Sequence, residues 1–353
     1  MTESSLTGGR IVVVGGAGFV GSNLVRALLD HEPKEVVVVD NLLSSERENV
    51  PDHPAVTLLE GSITDDETLR RLPAEPDFAF QLATYHGNQS SMVDPLADHE
   101  HNTYSTLRFY EALKDSGSMR RVVYASAGCT VAEKTFDGAE ATTEEAPVSL
   151  WLDSPYQISK IIGEYYSNYY FTRHGLPTVK ARFQNVYGPG EVLGAGRWRG
   201  TVNTVWRNVV PTFIYKALHE EALPIENGGI ATRDFIYVGD MAQGLIACAT
   251  QGEAGEVYNL ASGRETSIRE LAELINELTG NPTPIQLAPA RDWDHSGQRY
   301  GAIDKARETI GFEAQTGLRE GLERTIAWTR DNMAWIERCI HKHADRVRAL
   351  QAA

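Results

Sequence analysis

A glycine-rich turn between a short apolar run and an amphipathic segment is the feature of this 353-residue chain that most restricts its fold. The run at 10–14 is rich in β-branched residues, which is typical of a buried parallel strand. It leads into GGAGFVG and then into the amphipathic stretch 22–29. In such a turn Gly15 permits a tight bend, Gly18 lets the backbone approach a pyrophosphate, and Gly21 lets helix and strand pack closely. Because the helix N-terminus then faces the anion, the sequence predicts a dinucleotide site.

An acid at the end of the next apolar run indicates which dinucleotide binds. The run at 35–39 ends at Asp40, about twenty residues beyond the glycine turn. At that spacing a carboxylate accepts hydrogen bonds from the ribose hydroxyls of the adenosine and repels a 2′-phosphate. We therefore expect NAD rather than NADP. The alternative is that Asp40 only caps the turn that follows it.

Charge and composition restrict the partners. A formal net charge of −15 argues against nucleic acid or an anionic membrane as a partner. The first residues, MTESSLTGGR, lack an apolar signal segment, and no apolar run reaches membrane-spanning length, so we expect a cytoplasmic protein. The three cysteines are too scattered to predict a disulfide framework or a metal site.

Strand-like and helix-like segments alternate along the first half of the chain. This alternation predicts the α/β class, with a doubly wound parallel sheet in a nucleotide-binding domain over 1–185. Glycine and proline multiply beyond Asn185, which predicts a smaller lobe over 186–330, interleaved with the first domain. The stretch 331–353 is expected to form one further helix. Further strands are predicted at 56–59, 78–83, 121–125 and 178–181, and helices at 96–114 and 159–173.

The segment YQISK places Tyr156 and Lys160 four residues apart, on one face of a helix. A phenol held beside an ammonium ion can take the proton of a substrate hydroxyl as hydride leaves the carbon. The pair therefore indicates nicotinamide redox chemistry on an alcohol. The alternative is that both are ordinary helix residues, although the Ser-Pro helix start just before Tyr156 disfavours it.

Taken together, the motifs resemble the extended short-chain dehydrogenases/reductases, specifically the NAD-dependent nucleotide-sugar epimerases and dehydratases. The resemblance covers 10–328 and includes GGAGFVG, YQISK, RFQNVYGPG and TRDFIYVGD. It implies a Rossmann-type sheet, a C-terminal substrate-binding lobe, a UDP-, GDP-, dTDP- or CDP-linked sugar as substrate, and a homodimer. It also implies that Tyr156 deprotonates the sugar hydroxyl, while Lys160 binds the nicotinamide ribose and lowers the pKa of the tyrosine.

The resemblance further assigns binding residues to the ends of the predicted strands. Asn185 and Arg233 are expected beside the substrate diphosphate, with Arg291 joining them, and Ser91 is expected to contact the substrate. Two departures are the QLAT segment, where the family writes HLAA, and Ser62, where many relatives carry an acid. The implied cofactor contacts are Gly15, Ala17, Gly18, Phe19, Val20, Gly21, Asp40, Asn41, Ser62, Ile63, Leu82, Ala83, Thr84, Asn102, Tyr156 and Lys160.

The end of the predicted fifth strand, YASAGCTVAE, departs most from the family. Relatives usually carry a serine or threonine at Ala127, and the 4,6-dehydratases carry acids at Gly128 and Cys129. Related decarboxylases keep a glutamate at the second of these positions. The segment is similar to the SAC segment of GDP-mannose 3,5-epimerases, whose cysteine acts as an acid/base at carbon. Some 5,6-dehydrating relatives also use a cysteine. Ser126 and Thr130 are the hydroxyls that would assist Tyr156.

These residues predict an NAD-dependent nucleotide-sugar epimerase that forms a transient 4-keto sugar. Oxidation at C4 makes the hydrogens at C3 and C5 acidic, and a thiolate at Cys129 would exchange one of them. The alternatives are a 4,6- or 5,6-dehydratase, a decarboxylase, or a non-catalytic NAD-binding sensor, which would be expected to lose the Tyr-Lys pair. Cys129 could also be a small buried residue that only fills space.

The loop 194–208 is rich in arginine and tryptophan for so acidic a chain. We expect it to cover the substrate, with Arg199 in contact with it. Arg197, Arg199 and Arg207 would then meet a phosphate or a sugar carboxylate. The alternative is that these arginines brace the loop against the acidic body of the protein.

Overall fold

The fold is described by a computed structural model covering residues 5–85, 87–131, 135–290 and 297–351. Its strands are β1 Arg10–Val14, β2 Glu35–Asp40, β3 Val56–Glu60, β4 Phe78–Gln81, β5 Arg121–Ala127, β6 Ala141–Thr142, β7 Thr178–Phe183, β8 Asn185–Tyr187, β9 Pro224–Glu226, β10 Thr232–Arg233, β11 Phe235–Tyr237, β12 Val257–Leu260, β13 Thr266–Ser267, β14 Gln286–Ala288 and β15 Tyr300–Gly301.

The α-helices flank these strands on both sides. They are α1 Phe19–Leu29, α2 Asp66–Arg70, α3 Asn88–Val93, α4 Pro95–Asp98, α5 Ser105–Leu113, α6 Pro155–His174, α7 Val209–Leu218, α8 Val238–Thr250, α9 Ile268–Thr279, α10 Asp304–Ile310, α11 Leu318–Asp331, α12 Met333–His341 and α13 Ala344–Gln351.

Seven parallel strands form the central sheet, in the order β12-β7-β5-β4-β1-β2-β3. The chain runs outward from β1 to β3 and then returns to β4 on the other side of β1. This reversal leaves a crevice at the carboxyl ends of β1 and β4, where ligands of doubly wound sheets bind. The predicted α/β class and doubly wound parallel sheet are confirmed. The last strand, β12, comes from beyond residue 185 and completes the sheet.

The apolar runs of β1 and β2 are buried on both faces, as parallel strands between two helical layers must be. On one face, Ile11 and Val13 pack with Leu24 of α1 and Met241 of α8. On the other face, alternate strand residues pack with helices α5 and α6. The sheet therefore holds the glycine turn and the start of α6 on a common rigid support.

The C-terminal part of the chain differs from its predicted form. Where the sequence predicts one helix over 331–353, the described residues form two helices, α12 and α13. The chain turns between them at His343, whose ring Nε2 lies 3.0 Å from the carbonyl oxygen of Gly194 and whose ring packs against Trp198. Within the described ranges, none of the helices is long and apolar enough to cross a membrane.

Candidate active site

A cavity of about 400 Å³ opens at the carboxyl ends of β1, β4 and β5. One wall carries most of the predicted cofactor contacts, and the facing wall comes from residues beyond β7. The cofactor candidates on the first wall are Gly15, Gly18, Phe19, Val20, Gly21, Asp40, Asn41, Ser62, Ile63, Leu82, Ala83, Thr84, Tyr156 and Lys160. The polar residues of the facing wall are Gln184, Asn185, Glu191, Arg199, Arg207, Asn208 and Arg299.

Two glycines of the turn, Gly15 and Gly21, have no space for a side chain. Gly15 has a φ of +80°, and a Cβ there would lie 2.6 Å from the backbone nitrogen of Ala83. A Cβ on Gly21 would lie 2.2 Å from the carbonyl oxygen of Gly15. Helix α1 follows with Gly18 as its N-cap, without a capping side chain and without an acid in its first turn. The N–H groups of the first turn of α1 can bind an anion. The glycine turn therefore fits a dinucleotide.

Asp40 lines this cavity and also holds the turns beside it. Its Oδ2 accepts from Ala17 N at 3.0 Å, and its Oδ1 accepts from Leu42 N and from Ser45 Oγ, both at 2.9 Å. Burial raises the pKa of this carboxyl. These bonds use three of the roughly four acceptor positions of a carboxylate. Asp40 therefore caps the turns beside it, and it is also the residue predicted to bind the ribose.

Asn102 lies behind the cavity wall and orients the segment that follows β4. Its Oδ1 accepts from Thr84 Oγ1 at 3.0 Å and from Tyr85 N at 2.6 Å, while its Nδ2 donates to Asp98 at 2.7 Å. Gln81, at the start of the QLAT segment, is also buried behind the wall and donates to Thr106 Oγ1. Neither Asn102 nor Ala17 belongs to the described lining of the cavity.

Helix α6 brings Tyr156 and Lys160 to the end of β5. Ser91 is fully buried in α3, where its Oγ accepts from Tyr156 N at 3.2 Å and donates to the carbonyl of Asn88. Ser91 therefore lies behind the wall and fixes the start of α6. Lys160 Nζ donates to the Ala125 carbonyl at 2.9 Å and lies 5.8 Å from the centre of the Tyr156 ring.

Burial sets the charge state of this pair. It raises the pKa of Tyr156, and the charges that Cys129 and Asp98 carry when ionised raise it further. Burial lowers the pKa of Lys160 to about 8. The phenol is therefore protonated at neutral pH when only these protein groups surround it. A positive charge nearby would favour the phenolate, because an opposite charge stabilises the ionised form.

Cys129 lies in the short 3₁₀ turn Gly128–Thr130 that follows β5, and it lines the cavity with partial exposure. The two predicted hydroxyls bond to the protein instead. Thr130 Oγ1 donates to the Ala127 carbonyl at 2.7 Å and does not belong to the described lining. Ser126 lines the cavity, but its Oγ donates at 2.5 Å to Glu164, which forms a buried ion pair with Arg182.

The facing wall differs in detail from the predicted substrate contacts. Asn185 and Arg199 line the cavity, whereas Arg233 is buried beside it and donates to the carbonyls of Thr232 and Gly297. Arg291 lies outside the described residues. Arg299 also lines the cavity and was missed by sequence reasoning, although it stands only eight residues beyond Arg291.

Glu191 and Asn208 were missed as well. Glu191 directly follows the Gly-Pro-Gly run that marks the start of the lobe, and Asn208 directly follows Arg207. Their positions within the glycine-rich and arginine-rich stretches were the signal that could have identified them. Both line the facing wall.

This sheet, glycine turn and Tyr-Lys pair define an NAD-dependent enzyme of the extended short-chain dehydrogenase/reductase type. The chain belongs to the NAD dependent epimerase/dehydratase family, which it matches over residues 11–261. It is 56% identical to the enzyme WbmF of Bordetella bronchiseptica. The crystal structure of WbmF in complex with NAD+ and UDP matches with a TM-score of 0.88 over 98% of each chain.

Two further relatives catalyse different reactions. The chain is 32% identical to the UDP-glucose 4-epimerase of Mycolicibacterium smegmatis, over 91% of this chain and 99% of that protein. It is 30% identical to the dTDP-glucose 4,6-dehydratase of Streptomyces antibioticus, over 93% of this chain and 94% of that protein. The predicted family and the predicted cofactor, NAD, are confirmed.

Proposed function

We propose that this protein is a nucleotide-sugar epimerase that acts through a transient 4-keto sugar. The observation that carries the proposal is the shared cavity wall formed by Tyr156, Lys160 and Cys129 at the end of β5. The glycine turn and Asp40 would hold NAD, which supplies reversible hydride transfer when bound. The side chains of this protein then position the sugar and move its protons.

Tyr156 is the group that takes the proton of the sugar hydroxyl. An ammonium ion has three donors, and the Ala125 carbonyl accepts one of those of Lys160. The other two are available to the nicotinamide ribose. With its pKa near 8, Lys160 keeps most of its charge at neutral pH, and that charge favours the phenolate form of Tyr156.

Cys129 is the group that exchanges a proton at C3 or C5. Hydrogens beside a ketone are acidic because the enolate is delocalised, and a thiol within reach can take and return such a proton. Cys129 is partly exposed on the cavity wall, whereas Cys248 is fully buried in the core. The location of Cys129 supports a role in proton exchange rather than one in packing alone.

Gly128 favours an epimerase over a 4,6-dehydratase. Those dehydratases carry an acid at this position, but here a Cβ would lie 2.2 Å from Nε2 of Gln184. A carboxylate therefore has no space at residue 128 without displacement of Gln184. The Tyr-Lys pair on the cavity wall likewise argues against a non-catalytic NAD sensor.

We propose a UDP-linked sugar as the substrate, because WbmF was crystallised with UDP and several relatives are named for UDP sugars. We also propose a homodimer. Exposed apolar side chains recur on one face of α6, at Ile158, Tyr165 and Tyr169. A second copy of the same face would bury them. Light scattering should report a dimer in the parent and a monomer in a Tyr165→Asp, Tyr169→Asp variant.

The test incubates NAD-loaded protein in deuterated water with a panel of UDP-, GDP-, dTDP- and CDP-linked sugars. Products are identified by mass spectrometry and NMR. We expect an inverted sugar with deuterium on carbon, and we expect Cys129→Ala to lose that deuterium while Tyr156 still supports hydride transfer. Cys248→Ala, at a core site outside the described lining of the cavity, is the matched control and should exchange like the parent.

Other products would show that the enzyme catalyses one of the alternative reactions. Loss of water would identify a dehydratase, and loss of carbon dioxide a decarboxylase. If Cys129→Ala exchanges and turns over like the parent, the thiol only packs. The protein would then be a 4-epimerase whose missing hydroxyl at Ala127 is supplied by another donor, with Thr130 the nearest in sequence.

A further inference from the structure

The loop 190–208 crosses from the C-terminal lobe onto the segment that follows β2. Arg197 N donates to the Leu43 carbonyl at 2.9 Å, and Arg207 Nη1 donates to the Ser44 carbonyl at 2.7 Å. A Cβ on Gly196 would lie 2.3 Å from the carbonyl oxygen of Leu43, so the two backbones are in direct contact. The loop therefore covers the part of the cavity that is lined by Asp40 and by the segment after it.

Two guanidinium groups of this loop have unsatisfied donors inside the cavity. Arg199 is only 6% exposed, and its Nε and Nη1 have no hydrogen-bond partner among the described residues. The Nε of Arg207 is buried and unpaired as well. A buried, charged donor without a partner costs folding free energy, which an anionic ligand would recover. The side chains are thus arranged for a ligand.

The position of Arg199 identifies the part of the cavity that it faces. Its guanidinium carbon lies 5.9 Å from the centre of the Tyr85 ring, on the segment after β4. Arg207 is bonded to Ser44, on the segment after β2. Strand β1 lies between β2 and β4 in the sheet. The two arginines therefore flank the end of β1, where the glycine turn and the first turn of α1 lie.

The base of the loop is fixed to the same helix. Asn23 of α1 donates through Nδ2 to the Pro189 carbonyl at 2.9 Å. Glu191 follows two residues later and is buried on the cavity wall. Its Oε1 accepts a hydrogen bond from Asn208, and its Oε2 has no partner in the part of the chain that the structure describes. Burial raises the pKa of Glu191 to about 7. A protonated carboxyl there would donate a hydrogen bond to an anion rather than repel it.

We propose that Arg199 and Arg207 form an anion subsite that binds the diphosphate of NAD from the side opposite the glycine turn. The glycine turn offers backbone N–H groups on one side, and the loop offers guanidinium groups on the other. The C-terminal lobe thus supplies the cationic half of the cofactor site. This assignment moves Arg199 from the substrate to the cofactor, and it does not depend on which sugar reaction the enzyme performs.

The experiment compares ligands that have the diphosphate with one that lacks it. Protein freed of nucleotide is titrated with NAD, ADP and adenosine by calorimetry. Arg199→Gln should weaken NAD and ADP by about 10- to 100-fold, the range for a hydrogen bond to a charged group, and leave adenosine unchanged. Arg199→Lys should restore part of the loss. Arg330→Gln, at an exposed site in α11 outside the described lining of the cavity, is the control and should bind NAD like the parent.

Two results would overturn the assignment. An equal loss for adenosine would show that Arg199 supports the loop rather than the diphosphate. Unchanged NAD binding with weaker UDP binding to the NAD-loaded variant would assign the arginine to the nucleotide sugar. Thermal unfolding of the nucleotide-free variants distinguishes these two results from misfolding of the variant. Arg199→Gln should unfold no earlier than the parent, because it removes a buried charge whose Nε and Nη1 have no hydrogen-bond partner among the described residues.

Discussion

At the scale of single residues, burial sets the charge states of Tyr156 and Lys160. Lys160 is 3% exposed, and its Nζ donates to the carbonyl of Ala125 in β5. An ammonium ion in such a place is costly, so its pKa falls to about 8, and the same burial raises the pKa of Tyr156. The ionised forms of both residues are therefore high in energy, which makes the pair reactive.

The lowered pKa of Lys160 predicts a specific pH dependence of stability. Between about pH 8 and about pH 10.5 the unfolded chain holds a proton on this lysine that the folded protein has lost, so the free energy of unfolding rises with pH. Across that window the parent should gain roughly 1–3 kcal/mol relative to Lys160→Met, with a constant difference at lower pH. Urea denaturation of both proteins at several pH values measures this. A difference that does not change with pH would contradict it.

The role of Tyr156 predicts a loss of turnover without a loss of cofactor. Tyr156→Phe removes the hydroxyl that takes the proton, and turnover should fall by about two to four orders of magnitude. NAD binding by calorimetry should be unchanged. Tyr165→Phe changes an exposed tyrosine of the same helix and should be as active as the parent. Near-parental turnover of Tyr156→Phe would remove the phenol from the mechanism.

At the scale of elements, the unit formed by β1, the glycine turn and α1 depends on contacts between backbones. The glycines of the turn differ in what surrounds them. A Cβ on Gly18 would lie 3.1 Å from the carbonyl oxygen of Gly15, whereas one on Gly21 would lie 2.2 Å from the same atom. The helix can therefore approach the strand only if residue 21 is glycine.

We expect Gly21→Ala to displace α1 and weaken both folding and cofactor binding. Overpacking of this kind costs about 1–3 kcal/mol in the free energy of unfolding. NAD affinity should fall as well, because the first turn of α1 faces the cofactor. Gly117→Ala is the control, since a Cβ there meets nothing within 4 Å. Denaturant unfolding and calorimetry measure the two effects, and parental stability of Gly21→Ala would contradict the close approach.

At the scale of the whole molecule, the C-terminal helices connect the two walls of the cavity. Ile336 and Cys339 of α12 pack against Val192, Leu193 and Ala195 at the base of the loop that carries Arg199. Lys342 forms an ion pair with Glu46, which also accepts from Gly196 N at 2.8 Å. Helix α12 therefore holds this loop against the segment that follows β2.

This packing predicts that a core mutation far from the chemistry affects cofactor binding. Ile336→Ala creates a cavity in the small cluster and should lower the free energy of unfolding by about 2–5 kcal/mol. It should also speed the release of NAD, because the loop is less firmly held. Stopped-flow fluorescence measures the release rate. Leu350→Ala, at an exposed site in α13, is the control, and unchanged release in Ile336→Ala would show that the loop does not need this support.

The sequence alone determined the features that depend on local spacing. The alternation of strand and helix, the glycine turn, the acid at the end of β2 and the four-residue separation of Tyr156 and Lys160 are all set within short stretches of chain. Each feature follows directly from backbone sterics or from helix periodicity. The family, the fold class and the cofactor follow from them.

Only the tertiary structure decided which side chains face the cavity. Ser91 and Asn102 are near Tyr156 and Lys160 but point into the protein, because their hydrogen-bond partners lie on α3, α6 and the segment after β4. The loop bearing Arg199 meets the segment after β2 across some 150 residues of sequence. Contacts of such separation depend on the packing of the whole chain rather than on local propensity. No short-range pattern encodes them, and for that reason the second wall of the site was visible only in the folded protein.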